Sequence, residues 1–198
     1  SHHSIQRGFS HVDQIVTNAI DMKLNSVILA DYNSLSGCIE FLQLIHKHNK
    51  KSESKICPII GIQYTFNNNL VYLLARNRSG WNKLLKIYSL INSKENGDNP
   101  ELKSEYLSNV GRDILCISNN YDDILFKIFG IESYFIINTN EALDYNIRPI
   151  QIHNSYYPTI NDKQYHELII CSKFGKTIGK KQEILEIDSS YGEFISEN

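Results

Sequence analysis

A short apolar segment near the amino end constrains the fold of this chain more than any other feature. Residues 26–30 read Ser-Val-Ile-Leu-Ala and are followed by Asp31, a polar turn, and a helical pattern that begins near Gly37. A strand that is apolar on every side is typical of parallel sheets covered by helices on both faces. Functional groups usually lie at the carboxyl ends of such strands. The sequence therefore places Asp31 where a functional residue is expected.

Helical and strand patterns alternate along the rest of the chain. Apolar residues recur at helical spacing over 10–24, with Ser10 as the expected cap, and Ser79 and Asn120 are the expected caps of two later helices. An Asn-Asn-Asn turn at 67–69 predicts a hairpin. The expected strands of one sheet are residues 27–30, 56–60, 70–75, 114–117, 134–137 and 149–152. This alternation predicts a single α/β domain over 1–198 with a mostly parallel sheet, open or closed.

Composition and cysteine spacing narrow the class of protein. The chain has 198 residues, a formal net charge of -2, and 41% hydrophobic residues, values ordinary for a globular domain. It has neither a signal-peptide pattern nor an apolar run near the roughly 20 residues that span a bilayer. Its four cysteines are far apart among apolar neighbours, so we expect buried free thiols in the cytoplasm. They are Cys38, Cys57, Cys116 and Cys171. Because no initiator Met precedes Ser1, we also expect a piece of a longer chain.

Three stretches in order carry a family resemblance. Residues 27–37 read Val-Ile-Leu-Ala-Asp-Tyr-Asn-Ser-Leu-Ser-Gly, and residues 58–63 read Pro-Ile-Ile-Gly-Ile-Gln. Residues 70–84 align with a family stretch that begins His-Leu-Val-Leu-Leu-Ala-Lys-Asn. The third stretch comprises 153–157, 166–171 and 175–177. Together they resemble the PHP (polymerase and histidinol phosphatase) domain of the bacterial DNA polymerase III alpha subunit. The resemblance implies a distorted (βα)7-type barrel, here shortened by about one helix between residues 119 and 149.

The resemblance also implies a metal site that this chain has lost. Active PHP domains hold metal ions with His, Asp, Glu and Cys side chains at strand ends, and such ligands must donate lone pairs. The family's opening His-x-His falls at or before Ser1. Asp31 keeps a family carboxylate, but the neighbouring ligand positions hold other residues. Those replacements are Arg7 for Asp, Tyr32 for His, Gln63 for Glu, Asn120 for Cys, and Asn154 and Tyr156 for Asp-x-His.

These replacements predict a catalytically inactive domain without metal or other cofactor. We expect Arg7 to pair with Asp31 at the vacated position, within a neutral hydrogen-bond network. The network would include Tyr32, Gln63, Asn154 and Tyr156. By resemblance, the domain would stabilise a DNA-directed DNA polymerase, a nucleotidyltransferase, and dock a proofreading exonuclease. Its partners would be the rest of that chain, the exonuclease and, through the polymerase, DNA, but no membrane.

Two other functions stay open at this stage. An active metal-dependent phosphoesterase or 3'-5' exonuclease could rebuild its site from other histidines; the candidates are His2, His3, His11 and His153. A free-standing interaction module is the third reading. Each candidate also has a plain structural role. Asp31 can be a strand-end carboxylate, His153 a hydrogen-bonded side chain and His166 a packed residue in a first helical turn, while His46 and His48 can favour a helix dipole beside lysines.

Overall fold

The computed structural model describes residues 1–4, 8, 10–93, 101–137, 139–152 and 168. Within the chain, two compact units are distinguished, and both are discontinuous in sequence. The first unit comprises Ser1–Val27, Ser36–Pro58 and His153–Asn198, and the second comprises Ile28–Leu35 and Ile59–Ile152. The expected single domain over 1–198 stays a prediction.

Two packed helices form the described part of the first unit. Helix α1 spans Val12–Asp21 and helix α2 spans Cys38–Lys51. Their apolar stripes supply the buried side chains Val12, Ile15, Val16, Ala19, Cys38, Phe41 and Ile45. The expected Ser10 cap is wrong: the extended residue before the first turn is His11, whose N–H donates to Gln14 Oε1 at 2.9 Å. The cap position depends on where the backbone leaves the extended conformation, and Ser10 lies one residue too early.

A six-stranded sheet in the order β1-β2-β3-β4-β5-β6 organises the second unit. Its strands are β1 Ser26–Tyr32, β2 Cys57–Phe66, β3 Asn69–Ala75, β4 Ile114–Ser118, β5 Tyr134–Ile136 and β6 Arg148–Pro149. Strand β3 is antiparallel to both neighbours, while β4, β5 and β6 pair in parallel. Strands β2, β4, β5 and β6 therefore run in one direction and β3 runs against them. The predicted α/β class with a mostly parallel sheet is confirmed, and this arrangement is consistent with a PHP barrel-like fold.

The predicted hairpin is confirmed as the β2–β3 pair. Asn67 and Asn68 both have positive φ, 48° and 62°, as a two-residue hairpin turn of the favoured hand requires. Strand β2 runs without interruption through Gly61 to Phe66, whereas the expected strand ended at residue 60. A Cβ at Gly61 would lie 2.8 Å from the Leu73 carbonyl oxygen, so glycine permits the close approach of β3 there.

Three helices connect or cover the strands of the second unit. They are α3 (Arg78–Ile91), α4 (Asp123–Phe129) and α5 (Thr139–Asp144). Short 3-10 turns occupy Ser104–Leu107, where a short helix was expected, and Gly111–Asp113. The sequence reading placed no helix between β5 and β6, whereas the structure has the six-residue α5 there. The connection is short, as expected, but helical.

Two further cap predictions are wrong by a few residues. Asn77, not Ser79, caps α3 and accepts the Gly80 N–H at 2.9 Å. Asp122, not Asn120, caps α4 and accepts N–H groups from the first turn, each at 3.0 Å. In both cases the side chain of the extended residue directly before the first turn accepts the free N–H groups.

One face of the sheet carries an apolar cluster that matters for the site. Its buried members are Tyr72, Leu74 and Ile117. The partly buried side chains packed against them are Ala30, Ile59, Leu70, Leu115, Phe135, Ile137, Ile150 and Ile152. We call this surface the Tyr72 face.

Two other sequence expectations can be compared with the described residues. Cys38, Cys57 and Cys116 are free thiols, as expected, but Cys57 is exposed because it opens β2 at the end of the strand. Cys171 lies outside the described residues, as do the helix and final strand expected after residue 160. Within the described ranges, no helix has the length and apolar character needed to cross a membrane.

Candidate functional site

The chain turns sharply where β1 ends, at the position the sequence singled out. Asn33 has a positive φ of 47°, and an isolated β-bridge between Asp31 and Ser34 closes the turn. The Asn33 N–H donates to the Gln63 carbonyl on β2 at 3.0 Å. Asp31, Tyr32 and Gln63 are thus brought to neighbouring positions on adjacent strands.

The pleat of β1 separates Asp31 from Tyr32. Successive strand residues point to opposite faces, and Asp31 shares its face with Leu29. Asp31 is only 2% exposed, like the buried Leu29, whereas Tyr32 is half-buried. The family carboxylate and the residue that replaces the family His therefore do not point into the same site. This favours the structural role of Asp31.

Tyr32 and Gln63 lie on the Tyr72 face. The Tyr32 hydroxyl and the Thr65 hydroxyl are 3.2 Å apart and hydrogen-bonded. On the next strand Tyr72 lies opposite Gln63, and Leu70 lies opposite Thr65. Because directly opposed residues of an antiparallel pair share a face, the neighbours of Gln63 on the described strands are an aromatic ring, a hydroxyl and aliphatic groups. These groups are neutral.

Asn120 follows β4 and contacts the start of β3, next to the hairpin turn. Its side-chain amide donates to Asn69 Oδ1 at 3.1 Å, and its carbonyl accepts the Tyr134 hydroxyl at 3.3 Å. Nearby, Asn67 donates to the Asp122 carboxylate at 3.0 Å, and the Asp122 N–H donates to the Tyr134 hydroxyl at 2.9 Å. Burial raises the pKa of Tyr134, which keeps this hydroxyl neutral. Asn120, which replaces the family Cys, thus belongs to a set of hydrogen bonds between the hairpin turn and the loop after β4.

The described donor set does not fit the metal cluster that the fold family implies. A multi-metal site needs anionic or imidazole ligands that converge. We call the positions that align with the family's metal ligands the relic positions. Those in the described ranges hold the phenol of Tyr32, the amides of Gln63 and Asn120, and the carboxylate of Asp31, which lies on the opposite face of β1 from Tyr32. No group of three His, Cys, Asp or Glu side chains in these ranges is arranged to hold a metal ion.

The alternative histidine ligands do meet, but not as a metal site. The His2 ring centroid lies 4.1 Å from that of His3 and 4.4 Å from that of His11. Burial, followed by the charges of His3 and His11, lowers the pKa of His2. The three rings pack on one another, and no metal-binding group among the described residues includes them.

Five of the predicted residues lie outside the described part of the chain. They are Arg7, Asn154, Tyr156, His153 and His166. The Arg7–Asp31 ion pair and the participation of Asn154 and Tyr156 therefore stay predictions.

Two features of the site were missed from sequence. Asn33 and Asn92 exchange side-chain amide hydrogen bonds, at 3.2 and 3.1 Å, and no local pattern indicates a pair 59 residues apart. The second feature is Leu70, and here the sequence did contain a signal. Leu70 aligns with the His that begins the family stretch His-Leu-Val-Leu-Leu-Ala-Lys-Asn. An imidazole in the family is thus an aliphatic member of the Tyr72 face here.

A second polar cluster lies at the other end of β3. The Asp113 carboxylate accepts hydrogen bonds from Asn77 at 2.8 Å, Ser79 at 2.7 Å and Lys83 at 2.7 Å. The Lys83 ammonium, and then the other two donors, hold the pKa of Asp113 well below its usual range. A Cβ at Gly80 would lie 2.1 Å from the Asp113 carbonyl oxygen. The Arg-Asn-Arg-Ser-Gly stretch after β3 therefore has a packing role.

The fold and the relic positions define a class of protein, and comparison with known families agrees. The family model for the PHP domain matches residues 1–190, and the chain belongs to that family.

The curated relatives it matches are DNA polymerase III alpha subunits. One from Ureaplasma parvum is 34% identical over 96 residues, which cover 48% of this chain and 9% of the relative. One from Buchnera aphidicola of Acyrthosiphon pisum is 25% identical over 137 residues, covering 65% of this chain and 11% of the relative. The chain therefore spans about a tenth of the length of these relatives.

Proposed function

We propose that this chain is a catalytically inactive PHP domain of a DNA polymerase III alpha-like subunit. Its role would be to stabilise the polymerase chain and to dock a proofreading exonuclease. The polymerase part of this proposal comes from the names of the curated relatives, which are DNA polymerase III alpha subunits. Such a polymerase would be a DNA-directed nucleotidyltransferase and would bind DNA. The inactivity is argued from this chain's own residues.

The inactivity is argued mainly from the neutral and apolar side chains of the Tyr72 face around Gln63. Gln63 lies opposite Tyr72, and Leu70 lies where the family stretch has His. Apolar surroundings strongly disfavour an uncompensated charge. A cluster of divalent ions would need several anionic ligands here, whereas the described ligand positions on this face hold Tyr32 and Gln63, which are neutral. The site therefore supports packing rather than metal-assisted hydrolysis.

Phosphodiester hydrolysis tests the inactivity. The chain is incubated with a labelled DNA strand and Mn²⁺ or Zn²⁺, and we expect no cleavage above that of a Tyr32→Phe variant. Elemental analysis of the same preparation should show no stoichiometric metal. Metal-dependent cleavage by the parent chain, whether or not Tyr32→Phe removes it, would contradict the proposal and support the active enzyme.

Co-purification tests the docking role separately. The chain is mixed with the exonuclease subunit of the same replicase, and we expect a complex on size-exclusion chromatography in the presence of a chelator. A complex that forms only when metal is added, or no complex at all, would contradict a metal-independent docking role. Either result leaves the hydrolysis test unaffected.

A further inference from the structure

Positive charge is concentrated at the carboxyl end of α2 and in the loop that follows. Residues 46–55 contain four lysines and one acidic residue, Glu53, so this segment carries +3 in a chain of net charge -2. The remaining residues together carry -5, since -2 minus +3 is -5. A polyanion would therefore be attracted to this segment against the charge of the chain as a whole.

The plain explanation for lysines at a helix end is that they compensate the helix dipole and its free carbonyls. In α2 other groups already do this. The Lys55 ammonium donates to the Asn49 carbonyl and, at 2.7 Å, to the Ser52 carbonyl. The Ser52 N–H donates to the His48 carbonyl at 3.0 Å. Lys55 and the Ser52 N–H therefore satisfy the Asn49 and His48 carbonyls, and neither of these carbonyls depends on the other three lysines.

The remaining three lysines form one exposed row. Lys50 and Lys51 follow Lys47 by three and four residues, so each of them is a neighbour of Lys47 on the helix surface. All three are exposed, and none takes part in an ion pair between residues that the structure describes. By contrast, Lys83 and Lys127 in the second unit are paired with Asp113 and Asp123. We call Lys47, Lys50 and Lys51 the α2 lysine row.

We propose that the α2 lysine row binds the phosphate backbone of a nucleic-acid strand. Each lysine is a point charge on a flexible stem, which suits contact with phosphates without reading the bases. The proposal rests on the proposed polymerase role only for the supply of nucleic acid, because the binding itself depends on the lysines alone.

The test is binding of a fluorescein-labelled 20-nucleotide thymidine strand to the 198-residue chain, followed by fluorescence anisotropy over a series of salt concentrations. The variant is Lys47→Gln/Lys50→Gln/Lys51→Gln, since Gln keeps helix propensity. The control is Lys23→Gln/Lys86→Gln/Lys103→Gln, which removes the same charge from exposed positions elsewhere. Circular dichroism and melting confirm that both variants fold.

For three phosphate contacts to a single strand, the slope of log K against log salt should become shallower by about 2 in the row variant. Affinity at low salt should fall about tenfold or more, and the control should change it less than twofold. Equal weakening by both variants would show a net-charge effect and overturn the proposal, as would no binding by the parent chain. Preferential binding of a polyglutamate competitor to the row would also overturn it, in favour of an acidic protein segment. None of these results bears on metal-dependent cleavage, so the two proposals can fail separately.

Discussion

The two ends of strand β3 differ in chemistry, although both lie within the stretch that resembles the PHP family. At the amino end, Asn69 lies opposite Phe66 and Leu70 lies opposite Thr65, whose hydroxyl is hydrogen-bonded to that of Tyr32. At the carboxyl end, the Asp113 carboxylate is held by three donors, and Gly80 leaves room for its backbone carbonyl. By resemblance, one end holds neutral residues where the family has metal ligands, and the other end holds a charged cluster.

The comparison separates residues kept for chemistry from residues kept for packing. A metal cluster needs all its ligands together, so once it is lost each replacement is limited only by folding. The Asp113 cluster instead satisfies the start of α3 and joins it to the start of β4, a need that is independent of any reaction. A folded, inactive domain is expected to keep the second kind and lose the first.

The largest expected effect is at Asp31 near the end of β1, where the sequence predicts a pair with Arg7. Asp31 is 2% exposed, and an unpaired buried charge is costly. Arg7→Ala and Asp31→Ala should each reduce the free energy of unfolding by roughly 3–5 kcal/mol. The double variant should lose less than the sum of the two. Denaturant titration measures this, with exposed Arg78→Ala as the control; simple additivity would show that the two residues are not paired.

Gly80→Ala tests the packing end of β3. The added Cβ would meet the Asp113 carbonyl oxygen, a backbone atom that cannot rotate away. We expect a loss of about 1–3 kcal/mol in the free energy of unfolding. The control is Asn82→Ala at an exposed position of the same helix. A variant as stable as the parent chain would mean that the backbone at Asp113 can move away from Gly80 at no cost.

A smaller effect is expected from the hydroxyl pair beside Gln63. Tyr32→Phe and Thr65→Val each remove one partner of a neutral hydrogen bond, which should cost about 0.5–1.5 kcal/mol. The double-mutant cycle should show coupling between the two residues. If both substitutions are neutral and additive, the hydroxyl pair does not hold β1 to β2.

The smallest effect is the pH dependence of the Asp113 cluster, because its side chains are partly exposed. The folded-state pKa of Asp113 lies below that of the unfolded chain, about 3.9. The cluster therefore stabilises the fold above about pH 4, and this contribution is lost as pH falls toward the folded-state pKa. The melting-temperature difference between the parent chain and Asp113→Asn should narrow below about pH 4. A difference that stays constant to pH 2.5, or equals that of exposed Glu53→Gln, would contradict the assignment.

The sequence predicted the elements of the fold better than their ends. Apolar periodicity and the Asn-rich turn found β1 and the β2–β3 hairpin because those signals are local. The caps of α1, α3 and α4 were misplaced by one to two residues, since several polar residues precede each helix and backbone geometry decides among them. Helix α5 is too short to show a helical period.

The candidate site was predictable in position but not in geometry. The resemblance located Tyr32 and Gln63, and the structure brings them to adjacent strands. That Asp31 points to the other face follows from the pleat, which depends on where β1 ends. The Asn33–Asn92 pair could not be found from sequence, because it joins loops far apart in the chain.

The central claim, that the relic site binds no metal, is tested most directly by thermal melting with and without Mn²⁺ or Zn²⁺. A metal that binds only the folded chain, at 100 times its dissociation constant, would add about 2.7 kcal/mol. We expect no metal-dependent rise in melting temperature for the parent chain, and none for the Tyr32→Phe control. A reproducible rise of that size in the parent chain, lost in Asp31→Asn or Gln63→Ala, would contradict the account.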